Sequence, residues 1–159
     1  MDPTVFGTED MKICLVCSSG GHFFELFSLN SLWERYDHFW VTFPRQDTKS
    51  LLQGEKVHWA YSPTNRSLKN LLRNSYLAAR VIAREKPTAV ISTGAGVAVP
   101  FLYLGRILGL RTVYIESLAR VTNLSLTGRL VYPVVHDFIV QWPDLAGRFP
   151  RARFRGQVA

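Results

Sequence analysis

Short strand-like runs rich in valine, isoleucine and aromatic residues alternate with helix-length segments along almost the whole chain, and this alternation constrains the fold more than any other feature. Lys12–Cys17 (KICLVC), His38–Phe43 (HFWVTF), Lys56–Tyr61 (KVHWAY), Thr88–Ser92 (TAVIS), Arg111–Ile115 (RTVYI) and Asp137–Gln141 (DFIVQ) read as strands. Helices are expected over His22–Tyr36 and Val97–Leu108, a short helical turn over Lys49–Leu52, and a short helix or coil over Leu130–Val135. Arg153–Gly156 reads as a seventh strand or the beginning of one. Strands that are apolar throughout are buried on both faces, so the pattern predicts a parallel α/β sheet with helices on both sides.

The clearest helix follows the third strand. Leu68, Leu71, Leu72, Tyr76, Ala79, Ile82 and Ala83 recur three and four apart and predict one apolar face of the kind that packs on a core. Asn65 or Ser67 is placed to cap its start, and Pro87 lies just past its end. Lys69, Arg73, Arg80 and Arg84 are expected on the opposite side. Such a basic stripe is either a solvated face or a contact for anionic lipid or nucleic acid. The longest apolar run, Ala95–Gly105, is stopped by Arg106 and is well short of the ~20 residues a spanning helix needs.

With 159 residues, 47% apolar and 19% charged, the chain has globular composition, and its length suits one domain over residues 11–159 after a flexible extension over residues 1–10. That extension, MDPTVFGTED, has no apolar core of the signal-peptide kind. The formal net charge of +7 favours partners bearing phosphates or anionic headgroups. Cys14 and Cys17, three apart on one strand, point to opposite faces and neither bridge nor share a metal. The scattered histidines lack ligand spacing, so no metal site is expected.

In a parallel sheet, ligands gather beyond the carboxyl ends of the strands. Three loops fall there. Ser18-Ser19-Gly20-Gly21 leads into His22 and Glu25; the glycines let backbone approach a ligand, and helix-start N–H groups suit a phosphate. His22 suits either a general base or a loop cap, and Glu25, a turn later, either orients it or faces solvent. Ser92-Thr93-Gly94-Ala95-Gly96 offers hydroxyls and N–H groups at a second helix start. Glu116-Ser117-Leu118-Ala119-Arg120 brings a carboxylate and a guanidinium, which either pair with each other or bind substrate.

The ordered set Ser19-Gly20-Gly21-His22 with Glu25, Ser92-Thr93-Gly94-Ala95 with Pro100, Glu116-Ser117-Leu118-Ala119-Arg120, then Ser125, Thr127-Gly128, Tyr132, Asp137, Gln141-Trp142-Pro143 and Gly156 resembles the accessory subunits of split GT-B-type glycosyltransferases. These are bacterial exopolysaccharide and capsule proteins related to the eukaryotic subunit that anchors the second N-acetylglucosaminyltransferase of lipid-linked oligosaccharide synthesis. The resemblance runs from Met11 to the C-terminus. It implies a Rossmann-like domain equivalent to the N-terminal half of a GT-B fold, peripheral on the cytoplasmic face of a membrane. The catalytic C-terminal-type half would be a separate polypeptide binding most of the UDP-sugar donor, and no cofactor is expected on this chain alone. The acceptor would be a sugar linked through diphosphate to a polyprenol. The eukaryotic relatives carry an N-terminal membrane anchor; here, association through basic and apolar surface patches is expected instead.

By the same resemblance the reaction is an inverting transfer, with His22, Glu25 and Glu116 as candidate catalytic groups and Ser18, Ser19, Gly20, Gly21, Ser92, Thr93, Gly94, Ala95, Gly96, Ser117 and Arg120 as candidate substrate- and phosphate-binding residues. The glycine loop faces either the acceptor or the donor diphosphate. No specific nucleic-acid contact is expected. The competing readings are a stand-alone nucleotide-sugar or small-molecule enzyme and a basic nucleic-acid-binding accessory protein.

Overall fold

In a computed structural model that describes residues 11–158, seven parallel strands form one sheet in the order β3-β2-β1-β4-β5-β6-β7. The strands are β1 (Lys12–Val16), β2 (Asp37–Thr42), β3 (Val57–Trp59), β4 (Ala89–Ser92), β5 (Arg111–Ile115), β6 (Asp137–Val140) and β7 (Ala152–Phe154). The helices are α1 (Gly21–Phe27), α2 (Asn30–Trp33), α3 (Gln46–Leu51), α4 (Leu68–Glu85), α5 (Ala98–Ile107), α6 (Leu126–Val131) and α7 (Pro143–Arg148). The expected extension over residues 1–10 lies outside the described residues. Strand order reverses between β1 and β4, the switch point at whose carboxyl ends ligands of such sheets bind.

Alternate residues of β1 divide the core. Cys14 and Val16 join α4, α5, α6 and α7 through Val81, Ile82, Phe101, Val131 and Leu145. Ile13, Leu15 and Cys17 join α1 and α2 through Phe23, Leu26 and Trp33. Cys14 and Cys17 are therefore buried on opposite faces and unbridged, and burial pushes both thiols up in pKa.

Three helical expectations change. The single helix expected over residues 22–36 is two, because Trp33 folds under α1. Its indole ring packs 5.3 Å from that of Trp40, and its Nε1–H donates to the Leu26 carbonyl at 3.0 Å. The helical turn after β2 begins earlier, at Gln46, where the Arg45 N–H donates to Thr48 Oγ1 at 3.1 Å. The helix expected near Leu130–Val135 starts instead at Ser125, whose hydroxyl caps it by accepting from the Gly128 N–H at 2.9 Å.

The largest correction concerns α4. Leu68, Leu71, Leu72, Tyr76, Ala79 and Ala83 are exposed, and of the expected apolar face only Ile82 is buried. The buried face carries Asn70, Asn74, Ala78, Val81 and Glu85 instead. Asn74 donates to the Tyr61 carbonyl and accepts its N–H, both at 2.9 Å, and Asn70 donates to the Pro63 carbonyl at 2.8 Å. Glu85 accepts from Lys12 at 2.9 Å, Lys56 at 3.1 Å and His58 at 3.0 Å. These polar groups are tolerated inside because each is paired. The apolar run after Ala95 supplies no surface patch at its start: Val97, Ala98, Pro100, Phe101 and Leu102 are buried against the sheet.

The hydrogen bond from Lys12, with those from Lys56 and His58, outweighs burial and holds the Glu85 carboxyl down to about 2. A depressed acid contributes stability above its unfolded value and loses it as pH falls through the folded one. Unfolding measured from pH 5 to pH 2 should show a loss on the order of 3 kcal/mol from this group. Glu85→Gln should flatten that acid limb while lowering stability at pH 7; an unchanged limb would remove Glu85 as its source.

Candidate functional site

The loops after β1, β4 and β5 meet at the carboxyl rim and are tied to one another through His22 and Glu25 of α1. In the first loop, Gly20 turns through φ 76, which glycine adopts without a Cβ penalty, and α1 starts at Gly21. The Gly20 N–H donates to Asp47 Oδ2 at 2.8 Å. α3 thus occupies the Gly20 donor and brings a carboxylate to the loop expected to face a phosphate. Ser18 and Ser19 are half-buried beside it, with the Ser18 hydroxyl donating to the Ser19 carbonyl at 3.2 Å.

His22 is the joint between the first two loops. Its carbonyl accepts from the buried Thr93 hydroxyl at 2.5 Å. Its ring lies flush on Gly94, where a Cβ would stand 2.7 Å from Cε1 and 2.9 Å from Nδ1. Gly94 also has φ 134, so glycine is required there for both reasons. The buried Ser92 hydroxyl accepts the Gly94 N–H at 3.0 Å, and Ala95 takes a left-handed φ of 74. Gly96 touches Thr64 of the loop that precedes α4: a Cβ there would be 3.1 Å from the Thr64 Cβ.

Glu25 joins the first loop to the third. Its Oε1 accepts from the Ser117 hydroxyl at 2.9 Å and the Leu118 N–H at 3.1 Å. It thus neither orients His22 by a hydrogen bond nor simply faces solvent. Its Oε2, like His22 Nδ1, is buried without a hydrogen-bond partner in the protein. Such unpaired atoms are costly in folded chains; Trp40 Nε1 and Thr42 Oγ1 in β2 are unpaired as well.

Glu116 sits behind the rim and is 0% exposed. Its Oε2 accepts from the Ser125 N–H at 2.9 Å and the Ser125 hydroxyl at 3.0 Å, and its Oε1 from the Ser117 N–H at 3.1 Å. Ser125 and Ser117, rather than Arg120, are its partners, so of the two readings of this loop the Glu116–Arg120 pair does not form. Neighbouring Tyr114 donates to Oε1 at 3.4 Å; burial first, then the Glu116 charge, push that phenol up in pKa. Glu116 acts as an anchor between β5 and the start of α6. Gln141 and Trp142 brace the same loop by donating to the carbonyls of Glu116 and Leu118 at 3.0 and 2.7 Å. Arg120 is exposed at the rim.

The arrangement brings an imidazole, a half-satisfied carboxylate, the Ser117 hydroxyl and the Arg120 loop together at the carboxyl rim. An imidazole there is able to take a proton from a hydroxyl, and hydroxyl and guanidinium donors suit sugar and phosphate oxygens. Asp47 and Thr64 were not among the expected site residues. The Asp47–Gly20 and Thr64–Gly96 contacts bridge 27 and 32 positions, and no local spacing signals them.

A family model described as "Oligosaccharide biosynthesis protein Alg14 like" matches residues 57–158. The chain is 49% identical over 78 residues to the UDP-N-acetylglucosamine transferase subunit ALG14 of Eremothecium gossypii, a match covering 45% of this chain and 35% of that one. It is 28% identical over 183 residues to the subunit of the same name from Mus musculus, covering 94% of this chain and 84% of that one. The chain thus spans about a third of the Eremothecium relative and most of the mouse one. Among solved structures, MurG of Acinetobacter baumannii superposes with a TM-score of 0.75 at 18% identity, covering 94% of this chain and 46% of that chain. The fold is accordingly the Rossmann-like N-terminal half of a GT-B architecture.

Proposed function

We propose that this chain, which belongs to the family of Alg14-like oligosaccharide biosynthesis proteins, is the accessory half of a two-component, inverting, UDP-sugar-dependent glycosyltransferase. It binds a polyprenyl-diphosphate-linked sugar acceptor and recruits a separate catalytic half, which holds most of the donor, to the cytoplasmic face of a membrane. The relatives are transferase subunits, which supports the two-component reading. The observation that carries the acceptor reading is the knot at the strand ends, where His22 and Glu25 bind the loops after β1, β4 and β5 together yet keep one polar atom each unpaired.

In this reading His22 takes the proton from the acceptor hydroxyl as that oxygen attacks the anomeric carbon. The bond from that carbon to the nucleotide diphosphate breaks and the diphosphate leaves with the electron pair. The Ala95–Gly96 turn, Ser117 and Arg120 hold acceptor oxygens, and the buried Ser92 and Thr93 brace that turn. Glu116 and Glu25 are positioning residues that keep the third loop in register with the first. Peripheral membrane binding serves to meet a lipid-linked acceptor; among the described residues no helix is long and apolar enough to cross a membrane.

The test is reconstitution. The purified chain, a candidate small catalytic partner and the mixture are assayed with labelled UDP-N-acetylglucosamine and a polyprenyl-diphosphate sugar. Transfer is expected only in the mixture. Full turnover by this chain alone would establish the stand-alone enzyme instead.

A further inference from the structure

The helices on one side of the sheet display a surface that the fold does not use. Along α4, Leu68, Leu72, Tyr76, Ala79 and Ala83 stack at spacings of four, four, three and four, forming one row. Lys69, Arg73, Arg80 and Arg84 follow about 100° further round the same exposed side. The leucines and tyrosine are not edges of a core. Leu68 is 70% exposed, Leu72 63% and Tyr76 71%, because Asn70, Asn74 and Glu85 turn the opposite side of the helix inward.

The surface continues across neighbouring helices. α4 packs on α5 and α5 on α6. Ile107 at the end of α5 is 76% exposed, and Tyr103 donates its hydroxyl to the Leu130 carbonyl of α6 at 2.8 Å, joining those two helices at their outer surface. Arg106 and Arg129 add cations. The one acid in these three helices, Glu85, is buried, whereas α1 and α3 on the opposite face carry Glu25 and Asp47. Beside the basic row, a cavity of about 210 Å³ has Leu77 and Val81 with His58 in its lining and the guanidinium-bearing Arg80 and Arg84 around it.

We propose that the outer face of α4, α5 and α6 is a docking surface for an anionic lipid bilayer. Leu68, Leu72, Tyr76 and Ile107 enter the boundary between headgroups and acyl chains, and Lys69, Arg73, Arg80 and Arg84 lie on lipid phosphates. A helix with an apolar row beside a basic one, lying parallel to the surface, is the usual device for this. Charge complementarity selects the occupant: cations without exposed acids suit an anionic surface, and the leucine row gives up water only to an apolar phase. The geometry also serves the acceptor. α4 begins at the site end of the sheet, directly after the loop whose Thr64 touches Gly96. A diphosphate emerging from the bilayer beside Leu68 therefore lies next to the Ser92–Gly96 loop. This proposal rests on the peripheral-membrane part of the proposed function and specifies its surface.

The test measures partitioning of the full chain onto phosphatidylglycerol and phosphatidylcholine vesicles by flotation, with no enzymatic readout. The wild type should float with phosphatidylglycerol and lose most binding at high salt or on phosphatidylcholine. Replacing Lys69, Arg73, Arg80 and Arg84 together by Gln should lower partitioning about tenfold or more and weaken its salt dependence, leaving what Arg106 and Arg129 supply. Leu68→Gln with Leu72→Gln should lower it by a similar factor at low salt. Leu51→Gln, an exposed apolar position on α3, should change nothing, and all variants should melt like the wild type because the changed side chains are exposed. If the wild type floats but the α4 variants float equally well, membrane binding stands and this face is wrong. If the wild type binds no vesicle, the peripheral-membrane reading itself fails.

Discussion

His22→Ala in the assembled complex is expected to lower the initial transfer rate by ~10²–10⁴-fold, the usual contribution of a positioned proton acceptor, while complex yield and melting temperature stay near those of the wild type. The separation between rate and stability follows from how His22 is held. Its main-chain carbonyl, not its ring, receives the Thr93 hydroxyl, so alanine keeps that bond between the first and second loops. The ring rests on Gly94, and its buried Nδ1 has no protein partner to lose. A merely structural histidine would show the opposite pattern, with stability falling and rate falling only in proportion.

Two further variants isolate the ring's position from its presence. Gly94→Ala leaves His22 in the chain but sets a methyl 2.7 Å from its Cε1 and strains a backbone at φ 134, so it should lose much of the rate by displacing the ring and, unlike His22→Ala, lower the melting temperature as well. Glu25→Gln keeps an acceptor oxygen for Ser117 and Leu118 and should cost less than either. A full rate in an intact His22→Ala complex would assign the base to the partner subunit. Glu116 is no substitute, because its two oxygens already receive donors from Ser117, Ser125 and Tyr114.

What the sequence reveals here follows from which forces are local. The strands are legible because a strand buried on both faces must be apolar at every position, and KICLVC or TAVIS has no other reading at that length. The carboxyl-end loops are legible for the same reason, since parallel strands put them on one rim. The face of α4 is not. Hydrophobic periodicity assumes that the apolar side is inside, whereas here Asn70, Asn74 and Glu85 find partners in the loop from Tyr61 to Pro63 and in Lys12, Lys56 and His58. Those partners lie up to 73 positions away for Glu85. Glu116 fails in the same way: a carboxylate in a rim loop reads as a functional group, and only the fold shows Ser125 reaching back to bury it. Buried polar pairing is a tertiary fact that one-dimensional spacing does not carry.

That buried carboxylate sets a second large effect at a residue with no side chain. Gly128 lies within α6, where alanine is ordinarily favoured over glycine by about 1 kcal/mol. Gly128→Ala should nevertheless destabilise the chain, because its Cβ would stand 2.1 Å from Glu116 Oε2 and 3.1 Å from Ser125 Oγ. The carboxylate is fully buried and cannot swing into solvent, so either α6 moves off the sheet or Glu116 gives up its Ser125 donors. Leaving a buried charge without its partners costs about 3–5 kcal/mol, which outweighs the gain in helix propensity. A net loss near 3 kcal/mol corresponds to a fall in Tm of roughly 6–12 °C for a chain of this size. Glu116→Ala should be destabilising by itself, since it strands the Ser125 and Ser117 donors. Combined with Gly128→Ala, however, it removes the atom that the new methyl strikes. The double variant should therefore lose clearly less stability than the sum of the singles, a coupling that denaturant melts of the four proteins measure directly. Additive losses, or a Gly128→Ala chain that melts like the wild type, would show that the Glu116–Ser125 anchor is not what holds the third loop in place.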